Sequence, residues 1–343
     1  MQAIELAIDL GYSAIKVCYT SPYTQEIVLD KFISAVAKLP ERPDNVDGVD
    51  SFQLVEDYYV LGAQALKLPR EYLMPLHNYE DLKRITPIWL NFLMNKYQKE
   101  LGVEISIVCI GLSLAYKDKA NDLLQYIEET IMVPKEKFIL LPQGTISKVV
   151  ISQYGLNPMD KAKRTDYKYS SYSLWDLGSN TADISLILDS FSTSSNNIGL
   201  ENYGVCQILF TIIDFIYKNF GGVQISKEEA KIILDTGIYK RRGRSYDLSA
   251  QVKQFTIDYL TSILDLPDKF PKIGDMLDNI DAVIIIGGGG VLFNKYKNEL
   301  IPEIEKRGYP ATGFFVTPDS NAEYFNVISY LLVGQKILRD RQI

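Results

Sequence analysis

Histidine is almost missing: His77 is the only one in 343 residues. Its scarcity excludes Ser-His-Asp and Cys-His catalysis and the usual histidine-bearing metal clusters. Cysteine is nearly as rare. Cys18, Cys109 and Cys206 are odd in number, far apart and set in apolar stretches, so neither a disulfide framework nor a zinc site is indicated, and a reducing cytoplasm fits best. Positive charge is in deficit, with 36 Lys and Arg against 43 Asp and Glu and a formal net charge of -7. Such a surface is not built to neutralise nucleic-acid phosphates, so DNA would be reached only through a partner. No basic segment followed by an apolar core opens the chain, as a secretion signal would. The longest apolar run, Ala282 to Phe293, is broken by Gly287 to Gly290 and is shorter than a membrane span. The expectation is a soluble cytoplasmic protein whose chemistry rests on carboxylates, amides, hydroxyls, lysine and backbone.

What is present is apolar bulk. With 47% hydrophobic residues the chain can bury a large core, and its length exceeds one core of ordinary size, so two domains are expected. Strand-like segments (residues 4–19, 26–37 and 53–61) lead, and a helical run from Tyr79 to Glu100 follows. Residues 103–111 read as a strand ending in glycine, 117–129 as a helix, and 138–141 as a short strand before Pro142. Between Tyr154 and Tyr172 the composition turns to Asn, Pro, Lys, Arg, Asp and Ser, as in an exposed connection. Strand-rich sequence resumes at Ser173, followed by helical segments over 204–220, 227–236 and 248–264, a strand over 282–286, the glycines, and a closing helix over about 323–340. Domain I is therefore expected over residues 1–165 and 320–343, and domain II over 166–319.

A short repeat links the halves: Asp9-Leu10-Gly11-Tyr12-Ser13 and Asp176-Leu177-Gly178-Ser179-Asn180-Thr181 each follow an apolar strand and precede another. Gly11 permits positive φ and close backbone approach, so the turn can aim N–H groups at phosphate oxygens, with the Ser13 hydroxyl and the Lys16 ammonium adding a donor and a charge. An ordinary hairpin with a solvated lysine satisfies the same residues. Aspartate is disfavoured in buried strands, yet one ends each apolar strand beside a glycine turn, which a shared ligand explains better than two accidents. Mg²⁺ supplies the reason, because it dehydrates reluctantly and is held through water by one or two carboxylates while bridging phosphates. The bland alternative is that Asp9 and Asp176 cap turns. Ile284-Ile285-Ile286-Gly287-Gly288-Gly289-Gly290 runs from a strand into glycines and a helix, where backbone without Cβ can lie flat on a ligand. It matches neither the P-loop nor the Rossmann pattern.

Taken in order, these three segments resemble the phosphate-1, phosphate-2 and adenosine motifs of the actin, hexokinase and heat-shock chaperone superfamily, and within it the ParM group of plasmid-segregating bacterial actins. Residues 321–327, with Tyr330 and Gly334, resemble the final helix of those proteins. The resemblance implies an α/β protein of the actin-like fold, two duplicated RNase H-like domains flanking a nucleotide cleft. ATP and Mg²⁺ are the implied cofactors, with Asp9 and Asp176 around the metal, the two turns on the phosphates and Gly287, Gly288 and Gly289 against the adenosine. It points to Gln143, where ParM-type proteins carry a glutamate and actin a glutamine that positions the attacking water. An amide is no general base near neutral pH, so Gln143 would orient the nucleophile only; the bland reading is a helix-entry residue. Lys227, Glu228 and Lys231 resemble the segment that contacts base and ribose, although any exposed helix spaces Lys and Glu in this way.

The implied function is a bacterial actin-like ATPase that polymerises with ATP and segregates a plasmid through a ParR-like centromere-binding adaptor, with itself as the main partner, DNA contacted only indirectly, and no membrane. The alternative is a small-molecule kinase or other non-filament ATPase of the superfamily. Gln143 in place of a carboxylate base counts against a kinase, no room is left for the peptide-binding domain of a chaperone, and neither terminus reads as an amphipathic anchor. Lys240-Arg241-Arg242-Gly243-Arg244, the sharpest basic run, reads as a solvated loop in preference to a filament or DNA contact.

Overall fold

Apolar β-branched segments separated by tight turns let the amino-terminal stretch pair with itself. In the computed structural model, which describes residues 3–41, 51–159, 170–188, 196–278, 280–318 and 322–341, β1 (Ala3–Leu10) turns straight into β2 (Ala14–Thr20), which pairs with β3 (Ile27–Ile33). β4 (Val36–Leu39), β5 (Ser51–Leu54) and β6 (Asp57–Leu61) form a separate sheet in the order β4-β6-β5. β7 (Glu104–Leu112) then runs parallel to β1, and β8 (Phe138–Pro142) parallel to β7. The result is a five-stranded sheet in the order β3-β2-β1-β7-β8. β1 and β7 are almost wholly buried, which is why they read as continuous apolar runs.

The second half repeats this plan. β9 (Ser171–Leu177) turns into β10 (Thr181–Leu188), which pairs with β11 (Asn197–Glu201). A two-stranded ribbon, β12 (Ile238–Arg241) and β13 (Arg244–Asp247), intervenes. β14 (Ala282–Ile286) then pairs in parallel with β9, and β15 (Phe315–Val316) with β14. The order β11-β10-β9-β14-β15 matches the first sheet strand for strand, three antiparallel members followed by two parallel ones. The Asp-Leu-Gly repeat is thus one corner of a duplicated RNase H-like α/β plan. Each sheet has its own apolar core, centred on Trp89 in the first half and Trp175 in the second.

The chain divides into two compact units, residues 1–153 with 324–343, and residues 154–323. The junctions drawn from sequence at 165/166 and 319/320 lie outside the described residues, as does Asn321 of the closing motif. The helix Tyr79–Leu101 begins where Asn78 accepts the Asp81 N–H and ends at Gly102 in the left-handed region. The helix expected over 117–129 is offset. Residues Leu114–Lys119 form a tighter 3-10 turn and the α-helix itself spans Ala120–Ile131, because the Ser113 hydroxyl accepts the Ala115 N–H and starts the turn early. No helix among the described residues is long and apolar enough to cross a membrane.

The closing helix Phe325–Arg341 belongs to the first unit and packs on β1 and β7 at very short range. Tyr330, fully buried, lies over Gly111, where a Cβ would stand 2.0 Å from its hydroxyl oxygen. One helical turn further on, Gly334 rests on Cys109, whose Sγ would be 2.8 Å from a Cβ there. These approaches account for Tyr330 and Gly334 in the closing motif. Burial pushes the Cys109 thiol up to about 12, so it packs as a small apolar group.

Candidate functional site

In the first unit the β1–β2 turn is closed by the Gly11 N–H donating to the Ala14 carbonyl at 3.1 Å. Gly11 does not use the left-handed region that glycine permits. Glycine is required there for space, since a Cβ would stand 2.7 Å from the Ala14 oxygen. Ser34 holds the turn from behind: its hydroxyl donates to the Gly11 carbonyl at 2.5 Å and its N–H to the Ser13 carbonyl at 3.4 Å. With carbonyls anchored on one side, the turn presents its other face, where Ser13 is exposed. The Tyr12 hydroxyl donates to that of Tyr116 at 3.1 Å.

Asp9, buried, faces Lys16 across the ladder. Its Oδ2 accepts from Lys16 Nζ at 2.8 Å and its Oδ1 from Gln143 Nε2 at 2.8 Å. A carboxylate can only accept, so the Gln143 amide nitrogen must face Asp9, leaving Oε1 as an acceptor for something else. Sequence placed Asp9, Lys16 and Gln143 in one site, and the structure brings all three side chains together. Lys16 is thus paired with Asp9 in this structure.

In the second unit Asp176, Leu177 and Gly178 stand where Asp9, Leu10 and Gly11 stand in the first. The Gly178 N–H donates to the Thr181 carbonyl at 2.9 Å, reproducing the first turn. Here the carbonyls of Gly178, Ser179 and Asn180 are held from behind by the N–H groups of Val205, Cys206 and Gly204 at 2.9, 2.7 and 3.3 Å. Gly204, which sequence reasoning missed, has to be glycine because a Cβ would lie 2.4 Å from the Ser179 backbone. Among the described residues the N–H groups of Ser179 and Asn180 donate to no backbone acceptor, and amides left over in a turn are what an anion seeks. The Asn180 side chain is buried and its Nδ2 has no partner among the described residues.

The register shows one difference between the halves. The partner of Asp9 is Lys16, whereas the partner of Asp176 is Asp183. Asp176 and Asp183 are 5% and 1% exposed. One hairpin therefore carries a balanced pair and the other two buried carboxylates at facing positions. That donor chemistry suits a hard cation. Among the described residues no three His, Cys, Asp or Glu side chains gather into a direct ligand shell, so a metal here would rely on water and phosphate oxygens. Asp183 is brought opposite Asp176 by the register of the ladder, which spacing alone does not give.

The four glycines after β14 differ in kind. Gly287 has φ +78° and sits against Asp176, whose Oδ1 would be 2.5 Å from a Cβ; at Gly289 a Cβ would meet Leu177 at 2.4 Å. Gly290 is pressed on the Ile285 carbonyl at 2.7 Å. Gly288 alone opens onto free space, with nothing within 4 Å. The helix Gly287–Lys295 starts here, so its first N–H groups have no intrahelical partner.

Lys227 opens the helix Lys227–Thr236, which Ser226 and Glu229 cap reciprocally. Its ammonium lies over the Phe210 ring at 4.8 Å and close enough to Cys206 to oppose the upward push of burial on that thiol. Glu228 is exposed, and Lys231 pairs with Asp235 on the helix surface. The Lys240 to Arg244 run is not an irregular loop. It is the β12–β13 hairpin, whose turn residues Arg242 and Gly243 have φ 48° and 76°, the pairing that a two-residue turn between twisted strands favours. Arg241 is anchored to the Phe220 carbonyl, while Lys240, Arg242 and Arg244 are exposed.

Two units of identical strand order, each with an Asp-Leu-Gly turn between its first two strands, define the actin-like fold, and this chain has it. A family model described as archaeal actin homologue MreB-like, C-terminal, matches residues 174–298. Among solved structures, a 15-stranded ParM filament from Clostridium botulinum is 19% identical, with 98% of this chain and 100% of that one covered and a TM-score of 0.68. An archaeal actin homologue is 15% identical over the same shares with a TM-score of 0.66, and Bacillus thuringiensis ParM with ATP is 15% identical over the same shares with a TM-score of 0.63. No curated protein sequence gives a significant match. The likeness is to actin homologues of the ParM and archaeal MreB-like kinds.

Proposed function

We propose that the chain is an ATPase that assembles head to tail into ATP-dependent filaments and serves plasmid segregation through a ParR-like centromere-binding adaptor in the cytoplasm. The observation that carries the reading is the pair of turns, alike in register and closing hydrogen bond, each anchored from behind through its carbonyls and each beginning at a buried aspartate. Phosphate binding is the simplest use of a turn whose carbonyls are anchored and whose amides are left over. The first turn would contribute Gly11, Tyr12 and Ser13, and the second Gly178, Ser179, Asn180 and Thr181. Mg²⁺, when bound with the nucleotide, would neutralise phosphate charge, with Asp176, Asp183 and Asp9 as the carboxylates that hold it through water. Gly288 would meet the adenosine, with Lys227, Glu228 and Lys231 as the candidates for base and ribose.

Gln143 would orient the attacking water through Oε1. It lacks the basicity to remove its proton, which favours slow hydrolysis coupled to assembly over transfer to a small-molecule hydroxyl. Filament formation is supported by the ParM filament among the similar structures, and a heterologous contact between identical subunits meets its geometric need. An acidic chain that reaches DNA through an adaptor agrees with the net charge of -7.

Light scattering tests the assembly. Addition of Mg-ATP is expected to raise scattering above a critical protein concentration, with a later fall as hydrolysis proceeds, and a non-hydrolysable analogue is expected to remove the fall. A flat trace at every concentration, with a phosphorylated small molecule as product, would replace this reading with the kinase.

A further inference from the structure

Gln143 is followed by an unusual piece of backbone. Gly144 has φ 68° and ψ -78°, and the Thr145 N–H donates to the Gln143 carbonyl at 2.8 Å. These are the marks of a γ-turn of the rare, strained kind. Strain of this sort persists only where neighbouring groups over-determine it, and it gathers at functional sites. The group that holds it is Asn326, buried in the closing helix. Its Oδ1 accepts from the Gly144 N–H at 3.0 Å and from the Ser147 hydroxyl at 2.8 Å. On the other side, the Gln143 N–H donates to the Leu112 carbonyl at 2.9 Å. Gln143 is thus fixed before and after its Cα while its amide reaches Asp9.

We infer that Asn326 is the positioning residue for Gln143: by accepting two hydrogen bonds across the γ-turn it sets the direction in which the Gln143 side chain leaves the backbone. The inference rests on the reading of Gln143 as the residue that orients water. Asn326 touches neither nucleotide nor water in this account and acts only through that turn. A side-chain amide misplaced by about 1 Å is expected to lower the rate roughly 10- to 100-fold, with binding unchanged because none of the phosphate-turn backbone moves.

A double-mutant cycle on the full chain tests this, read by single-turnover ATP hydrolysis and separately by binding of a fluorescent ATP analogue. Asn326→Ala is expected to slow hydrolysis by roughly tenfold or more while changing affinity less than about twofold, and Asn326→Asp, which keeps both acceptor bonds, to recover most of the loss. In a Gln143→Ala background, Asn326→Ala is expected to add nothing, because the two act as one unit. Additive losses, or equal falls in rate and affinity, would overturn the inference. Should Asn326→Ala fail to fold, Ser147→Ala, which removes one of the two donors, carries the same cycle with a smaller effect. Hydrogen exchange at the Gly144 amide reads the turn independently of chemistry, and Asn326→Ala is expected to speed it; unchanged exchange would refute the clamp. If Gln143→Ala leaves hydrolysis intact, the water-orienting reading fails, whereas the exchange result still decides whether Asn326 holds the turn.

Discussion

Gly287→Ala is expected to weaken ATP binding severely and to destabilise the fold, and Gly288→Ala, one residue later, to weaken binding in a protein that is as stable as the parent or more so. At Gly287 the added Cβ would fall 2.5 Å from Asp176 Oδ1 and 2.7 Å from the Leu177 carbonyl, on a backbone held at φ +78°. An L-residue in that region costs about 1–2 kcal/mol before any clash, and the clash here pushes on the strand end that carries Asp176. Fold and site are therefore damaged together, with affinity down roughly 100-fold or more as about 3 kcal/mol of contact is lost. Gly288 has no neighbour within 4 Å and lies in the first turn of a helix, where alanine is favoured over glycine by up to about 1 kcal/mol. Its methyl intrudes only on a ligand, so a loss of about tenfold in affinity is expected with no loss of stability. Urea unfolding and titration with ATP, run on both variants, check the contrast. Equal behaviour of the two would show that Gly288 does not face the nucleotide.

Gly111→Ala is expected to have the largest effect on stability with no direct effect on the site. Gly111 is not in the left-handed region, so no conformational penalty confuses the result. The only consequence is a Cβ placed 2.0 Å from the Tyr330 hydroxyl oxygen and 2.5 Å from its ring carbon Cζ. Tyr330 is fully buried in the closing helix and has no room to swing aside. Overpacking of this kind costs about 3 kcal/mol, a large share of the roughly 5–15 kcal/mol that holds a domain folded. The urea midpoint is expected to fall accordingly, and Tyr330→Leu in the same chain to restore part of it by vacating the space. A midpoint unchanged by Gly111→Ala would mean that the closing helix does not lie against β7 as described.

How much of this was legible beforehand follows from where the information sits. The two Asp-Leu-Gly turns are contiguous, so their residues and their kinship could be read directly, and β14 with its glycines likewise. The plan of two matching sheets needed only the order of apolar runs. What could not be read depended on partners distant in sequence. Gly144 meets Asn326 across 182 positions, which no local periodicity encodes, and Gln143, 134 positions from Asp9, was brought to the site only by the family resemblance. The equivalence of Lys16 and Asp183 is a matter of ladder register, which appears only once the strands are paired. Of the two reasons the sequence offers for Gly11, positive φ and close backbone approach, the structure uses only the second. The Arg242-Gly243 pair did carry a hairpin signal, obscured by the surrounding charge.

The central claim is the proposal that the two turns and the buried aspartates Asp9 and Asp176 bind Mg-ATP. Calorimetric titration of Mg-ATP into the full chain, its Asp9→Ala variant and its Asp176→Ala variant tests it most directly. The account predicts one site per chain in the parent and a weakening of roughly tenfold or more in each variant, with the binding heat losing its dependence on Mg²⁺ in Asp176→Ala. Unaltered binding in either variant, or two independent sites in the parent, would contradict it.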